Sequence, residues 1–211
     1  MRGRLISVEG LDGTGKTTVC AALAERLEAR GVTVLRLREP GGTAVGEAVR
    51  GLLADPSRTL EARTELLLFA AARAELVDTV LRPALADGTW VLLDRFIDST
   101  LAYQGAGRQL GDDVVHQANA LATGGLVPDR TLLLRAPSAV RAERMGTRGE
   151  RPDRFEQAGE AMFARAGARY DALLTEDPAR VRAVDATGDV RVVVDRAWAA
   201  TADLLEPATA G

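Results

Sequence analysis

Eight residues, Gly10-Leu11-Asp12-Gly13-Thr14-Gly15-Lys16-Thr17, have the types and the spacing to hold a chain of phosphates. They fit the pattern G-x-x-x-x-G-K-[ST], a phosphate-binding loop. Glycines let the backbone turn tightly, so that successive N–H groups converge on an anion. The positive end of a following helix adds to that field. Lys16 is placed to reach the β- and γ-phosphates of a nucleoside triphosphate and Thr17 to hold Mg²⁺. With Thr18, these residues form the predicted nucleotide-binding set. Lys16 is the single lysine among 27 basic residues. A compact ammonium at this one position is informative, because a planar guanidinium fills space differently.

Three further clusters bear on what happens to the γ-phosphoryl group. Asp94-Arg95 closes an apolar run. A carboxylate there could hold Mg²⁺ through water, and the arginine could clamp a phosphate through two parallel hydrogen bonds; a purely structural ion pair is the plainer alternative. Arg144, Arg148, Arg151 and Arg154 crowd an eleven-residue stretch poor in apolar side chains. Such a segment could close over a transferring phosphoryl group and exclude water, or simply be a solvated basic loop. Phe69 and Arg73 lie four residues apart and so share a helix face. The ring could stack on a base and the arginine hydrogen-bond a carbonyl, although a phenylalanine in a helix apolar all round is more often a core residue.

The elements that must position these groups alternate between strand and helix, which predicts an α/β fold with a parallel sheet covered on both faces. Strands are expected at Leu5–Val8, Val32–Leu37, Trp90–Leu93, Thr131–Leu134 and Val181–Val184. Helices are expected at 17–29, 44–53, 60–86 with a break near Pro83, 98–104, 112–122, 138–145, 156–174 and after Asp189. The 211 residues, 46% apolar and 27% charged, suit one globular domain with a mobile arginine-rich lid at about 144–156. A net charge of −3 gives no basic footprint for nucleic acid. No run reaches membrane-spanning length, no secretory signal precedes the first strand, and the lone Cys20 cannot form an internal disulfide. A cytoplasmic enzyme fits these observations. His116, the single histidine, is assigned no role.

Taken together, four blocks resemble the thymidylate kinase family of P-loop nucleoside monophosphate kinases. They are Glu9 to Thr18, Arg38-Glu39-Pro40-Gly41-Gly42-Thr43, Asp94 to Gly105, and Asp153-Arg154-Phe155-Glu156. The resemblance implies a five-stranded parallel sheet, ATP as donor, Mg²⁺, dTMP as acceptor and a homodimer. It implies that Phe69 stacks on thymine while Arg73, Gln104 and Thr100 face the base. Tyr103 would pack where a 2′-hydroxyl would sit, and Arg95, with Ser99 nearby, would grip the acceptor phosphate. Asp12 would contact the 3′-hydroxyl or a metal-bound water, with Glu39, Pro40 and Arg50 lining the same pocket. The family has two arrangements, one with an arginine inside the phosphate loop. Gly13 holds that position here, so the catalytic cation would come from the lid, as Arg148 and Arg154; the implied catalytic residues are these two with Lys16, Arg95 and Asp12. The expected metal contacts are Thr17 and Asp94. Two positions depart from the family pattern: Arg135 stands where an acidic residue is expected, and Phe96 where tyrosine or histidine is common.

Two rivals remain at this level. One is a kinase for another or a modified deoxynucleotide. The other is a nucleotide-driven switch, against which stands the lack of an N-K-x-D guanine-reading motif, impossible in a chain whose one lysine is Lys16.

Overall fold

The computed structural model describes residues 2–147 and 159–205. Five parallel strands, β1 (Leu5–Glu9), β2 (Val34–Arg38), β3 (Trp90–Asp94), β4 (Arg130–Arg135) and β5 (Val181–Asp185), lie in the order β2-β3-β1-β4-β5. The chain builds β2 and β3 on one side of β1 and then crosses to build β4 and β5 on the other. The carboxyl end of β1 is therefore a switch point, where parallel sheets open their binding crevice. The phosphate loop leaves the sheet there.

Alternation along β1 sends residues to two different cores. Ile6 and Val8 join Leu92, Leu132, Leu134 and Val184 beneath α1 (Lys16–Glu28) and α9 (Val190–Ala199), whose Leu23, Leu27, Ala197 and Trp198 close that side. Leu5, Val91 and Leu93 face the opposite way, under Leu76, Leu81 and Phe96. Ser7 and Glu9 share that second face and are fully buried. They need polar partners, because an unpaired buried polar group costs about 1–3 kcal/mol.

Between β2 and β3 run α2 (Ala44–Ala54), α3 (Ala62–Leu76) and α4 (Arg82–Ala86). The expected break at Pro83 does not occur. A π-helical turn, Val77–Leu81, joins α3 to α4, and Arg82 N–H donates to the Val77 carbonyl one residue further back than in an α-helix. That wider turn ahead of Pro83 carries the helix past a residue with no N–H to donate. After β3 a short α5 (Ile97–Thr100) widens into a second π-helical segment, Leu101–Gly107, before α6 (Asp112–Thr123). α7 is Ser138–Gly146 and α8 is Glu160–Glu176, and the 156–158 portion of the expected 156–174 helix lies outside the described residues. Gly107 lets α8 approach the wide segment closely, since a Cβ there would stand 3.1 Å from Met162 Cγ.

Candidate active site

The phosphate loop takes its shape from backbone conformations that only glycine adopts without strain. Gly10, Gly13 and Gly15 all have positive φ. The Leu11 carbonyl anchors the turn: it accepts from Thr14 N–H (3.4 Å), from Thr14 Oγ1 (2.8 Å) and from Lys16 Nζ (3.2 Å). Lys16 opens α1 and is 8% exposed. Burial, and then the nearby Arg95 cation, lowers its ammonium to about 8, against the opposing pull of Asp12, Asp94 and Glu9. An incoming anion would therefore strengthen a charge that the fold has left under-compensated. Thr17 and Thr18, in the first turn, are exposed.

The β3 strand delivers the second group of residues. Asp94 ends the strand, and its Oδ2 accepts a 2.6 Å hydrogen bond from Thr17 Oγ1. A hydroxyl and a carboxylate at a loop that binds triphosphate suit Mg²⁺, which usually takes one or two such protein oxygens plus phosphates and water. This donor set fits the metal. Among the described residues no cluster of three His, Cys, Asp or Glu side chains could hold a metal by itself.

Arg95 follows in a left-handed conformation, φ 75°, which costs a non-glycine residue roughly 1–3 kcal/mol. Its surroundings hold it there. Its own N–H donates to the Val8 carbonyl (3.1 Å), and the next N–H, of Phe96, donates to Glu9 Oε1 (2.7 Å). The guanidinium then reaches Asp12 Oδ1 through Nη2 and Ser99 Oγ (3.1 Å) and the Gly10 carbonyl (3.2 Å) through Nη1. Its carbon lies 5.0 Å from the centre of the Tyr103 ring. Burial works against ionisation of Asp12, but Arg95 and then Lys16 outweigh it and hold that carboxyl below its usual range.

Fourteen of the residues named from the sequence meet around one cavity of about 250 Å³. Asp12, Lys16, Thr17, Asp94, Arg95 and Ser99 form its polar floor. Glu39, Pro40, Arg50, Phe69, Arg73, Thr100, Tyr103 and Gln104 complete the fourteen, and Arg38, Leu53 and Ala54 line the cavity as well. Phe69 is half-buried: it packs against the Val49, Leu53 and Ala72 cluster and lines the cavity as well, so its two sequence readings are compatible. Arg50 donates to the Pro40 carbonyl (3.2 Å). Arg73 is 2% exposed, donating through Nε to Glu39 Oε2 (2.8 Å), through Nη1 to Asn119 Oδ1 (2.6 Å) and through Nη2 to the Phe96 carbonyl (3.1 Å). Arg148 and Arg154, expected to supply the lid cation, lie outside the described residues. Arg144 sits in α7, where it donates to the Thr14 carbonyl (3.3 Å) and the Ala186 carbonyl (2.9 Å) and so ties the phosphate loop to the loop after β5. Arg135 is paired with Asp171 at 3.1 Å on the surface.

Sequence reasoning did not give roles to Glu9, Tyr170, Asn119, Glu65 and Arg108. Glu9 Oε2 accepts from Ser99 Oγ (2.5 Å) and Tyr170 Oη (2.9 Å). Its carboxyl is pushed up to about 7 by burial and by Asp98, against the Ser99 hydrogen bond and Arg95. A carboxylate ending an otherwise apolar strand was the available signal for Glu9. Tyr170, at helical spacing among apolar residues, gave none.

The thymidylate kinase family model matches residues 8–197. A thymidylate kinase of Rhizorhabdus wittichii is 44% identical over 207 residues, covering 97% of this chain and 100% of that protein. One from Halorhodospira halophila is 46% identical over 206 residues, covering 97% and 96%. One from Thermomicrobium roseum is 46% identical over 201 residues, covering 95% of each.

Proposed function

The chain belongs to the thymidylate kinase family, and from that membership we propose that it transfers the γ-phosphoryl group of ATP to the phosphate of dTMP, giving dTDP and ADP. One observation carries the reading beyond family. Arg95 and Lys16 converge on the same carboxylate, Asp12, in a cavity that Phe69 and Gln104 also line. That is the layout for a nucleotide whose phosphate meets the cations while its base meets the ring.

The acceptor oxygen belongs to a phosphate monoester with a second pKa of about 6, largely ionised at neutral pH. No strong general base is needed, which suits a cavity lined by no histidine. The obstacle is repulsion between two anions, and positioned cations offset it. Lys16 binds the transferring group, while Arg95 binds and orients the acceptor phosphate. Asp12 restrains both cations and is placed to accept from a sugar hydroxyl. Thr17 and Asp94 would hold Mg²⁺, which would supply charge neutralisation to the donor phosphates. Arg148 and Arg154 complete the proposal as lid cations within 144–156 of the single domain.

Homodimer formation is part of the same reading. It is supported by Leu67, Val114 and Leu121, which are exposed on α3 and α6, two helices packed side by side. A cytoplasmic location is also part of it; no helix among the described residues is long and apolar enough to cross a membrane. The test is ADP release with dTMP, dUMP, dCMP and dGMP in parallel. Turnover with dTMP well above dCMP and dGMP is expected, and ATP hydrolysis indifferent to dTMP would reject the assignment.

A further inference from the structure

We infer that Glu65 is a specificity-determining residue, which selects a pyrimidine carrying an N3–H donor by fixing the amide of Gln104. The inference rests on the proposed dTMP-binding role of the cavity. Glu65 lies in the first turn of α3 and is fully buried. Arg108 donates to both of its oxygens, through Nε to Oε1 (3.3 Å) and through Nη2 to Oε2 (3.2 Å). A carboxylate gripped in this way acts only as an acceptor. Its Oε1 takes a 2.7 Å hydrogen bond from Gln104 Nε2. The reverse orientation of the amide would set two oxygens with no proton between them at hydrogen-bond distance in a buried site.

The amide therefore has one allowed orientation, and the sign of its remaining polar atom follows. Gln104 is 2% exposed and lines the cavity; its Nε2 keeps a second N–H, while Oε1 is the one acceptor the amide can turn to a base. Arg73 lines the same cavity; Asn119 occupies one of the two N–H groups on its Nη1, and the other remains a donor. An acceptor and a donor lining one cavity match the N3–H and O4 edge shared by thymine and uracil. Cytosine offers the opposite pair, a bare N3 and an N4 amino group, and would meet like against like. A site built to pair a polar group rejects an analogue that leaves it unpaired far more strongly than an apolar pocket rejects an extra methyl. Glu65 does not touch the base in this account; it acts through Gln104.

The test compares kcat and KM for dTMP, dUMP and dCMP at saturating ATP in wild type, Glu65→Gln, Gln104→Glu and the exchanged pair Glu65→Gln/Gln104→Glu. An amide at 65 gives Gln104 a partner in either orientation. Glu65→Gln should then lower the dTMP-to-dCMP ratio of kcat/KM at least about tenfold, mainly through the KM for dTMP, with the KM for ATP unchanged. In the exchanged pair the amide at 65 donates to a carboxylate at 104, which again shows an acceptor to the base. Selectivity should return to within a few-fold of wild type, whereas Gln104→Glu alone, with two facing carboxylates, should not recover it. A ratio within twofold of wild type in Glu65→Gln overturns the inference. If that variant does not fold, the exchanged pair decides, and selectivity no better than that of Gln104→Glu alone is equally fatal. Absence of dTMP turnover in wild type would instead bring down the proposed function. With wild type active, the variants test Glu65 alone.

Discussion

Arg95 and Asp12, from the ends of two adjacent strands, form an ion pair at the floor of the cavity. Nη2 of the guanidinium meets Asp12 while Nη1 is held by Ser99 and the Gly10 carbonyl. The arginine is aimed before any phosphate arrives, which is where preorganised charge is most effective. Arg95→Ala should cut kcat by roughly 10²–10³-fold while leaving ATP affinity within a few-fold of wild type. Arg95→Lys should recover little, because a point charge cannot reproduce two oriented contacts. Steady-state kinetics with an ATP-binding titration checks both, and an Ala variant within fivefold of wild type would remove Arg95 from the reaction.

The 2.6 Å hydrogen bond from Thr17 to Asp94 implies a different dependence. If the two side chains share Mg²⁺ duty, one as a direct oxygen ligand and the other through water, neutralising Asp94 weakens metal more than nucleotide. Asp94→Asn should raise the Mg²⁺ concentration for half-maximal activity about tenfold or more and recover part of its rate at high Mg²⁺. A Mg²⁺ titration at fixed ATP that superimposes on wild type would rule this out.

How much of this could be read in advance divides along a physical line. The phosphate loop and the five strands were legible because each leaves a local mark: a glycine spacing, an apolar run, a charged pair closing a strand. Among the cavity residues Lys16, Thr17, Phe69, Arg73, Asp94 and Arg95 carried such a mark, whereas Glu39, Pro40, Arg50, Ser99, Thr100, Tyr103 and Gln104 were named only through the family resemblance. The turn at Val77–Leu81 was not, since a π-helical turn differs from an α-helical one by a single residue of register and Pro83 reads as a break. The polar network behind the cavity was also hidden. Glu65 meets Gln104 and Arg108 from a separate helix, and Glu9, Ser99 and Tyr170 come from three segments. Only tertiary packing makes them neighbours. Arg73 shows the limit most clearly: its position on the Phe69 face was predictable, but its anchoring by Glu39 and Asn119 was not.

Glu9 predicts a pH dependence of stability. Its carboxyl is raised from about 4.5 to about 7 by burial and by Asp98, so the folded protein holds a proton there that the unfolded chain releases. Its contribution is fully present below about 4.5 and is lost as pH rises through 7. At roughly 1.4 kcal/mol for each pKa unit, the effect is on the order of 3 kcal/mol. Glu9→Gln removes this proton linkage. The difference in unfolding free energy between wild type and Glu9→Gln should shift in favour of the variant as pH goes from 5 to 8. Urea denaturation at several pH values measures it. Parallel pH profiles for the two proteins would show that Glu9 does not titrate in this window.

Gly13 tests why this chain keeps its phosphate loop free of arginine. Its φ is +82°, and a Cβ built there would lie 2.5 Å from the Arg141 carbonyl oxygen and 2.9 Å from its Cα. Those are backbone atoms of α7, so no side-chain rotation relieves the contact. The left-handed conformation costs a non-glycine residue roughly 1–3 kcal/mol, and overpacking adds a comparable amount. Gly13→Arg should therefore lose several kcal/mol of stability, and Gly13→Ala nearly as much, because the clash begins at Cβ. Moving the cation into the loop would require α7 to shift as well. Denaturant melts of the two variants check this. If Gly13→Arg were as stable as wild type, or if Gly13→Ala alone were tolerated, α7 would not pack on the loop as described.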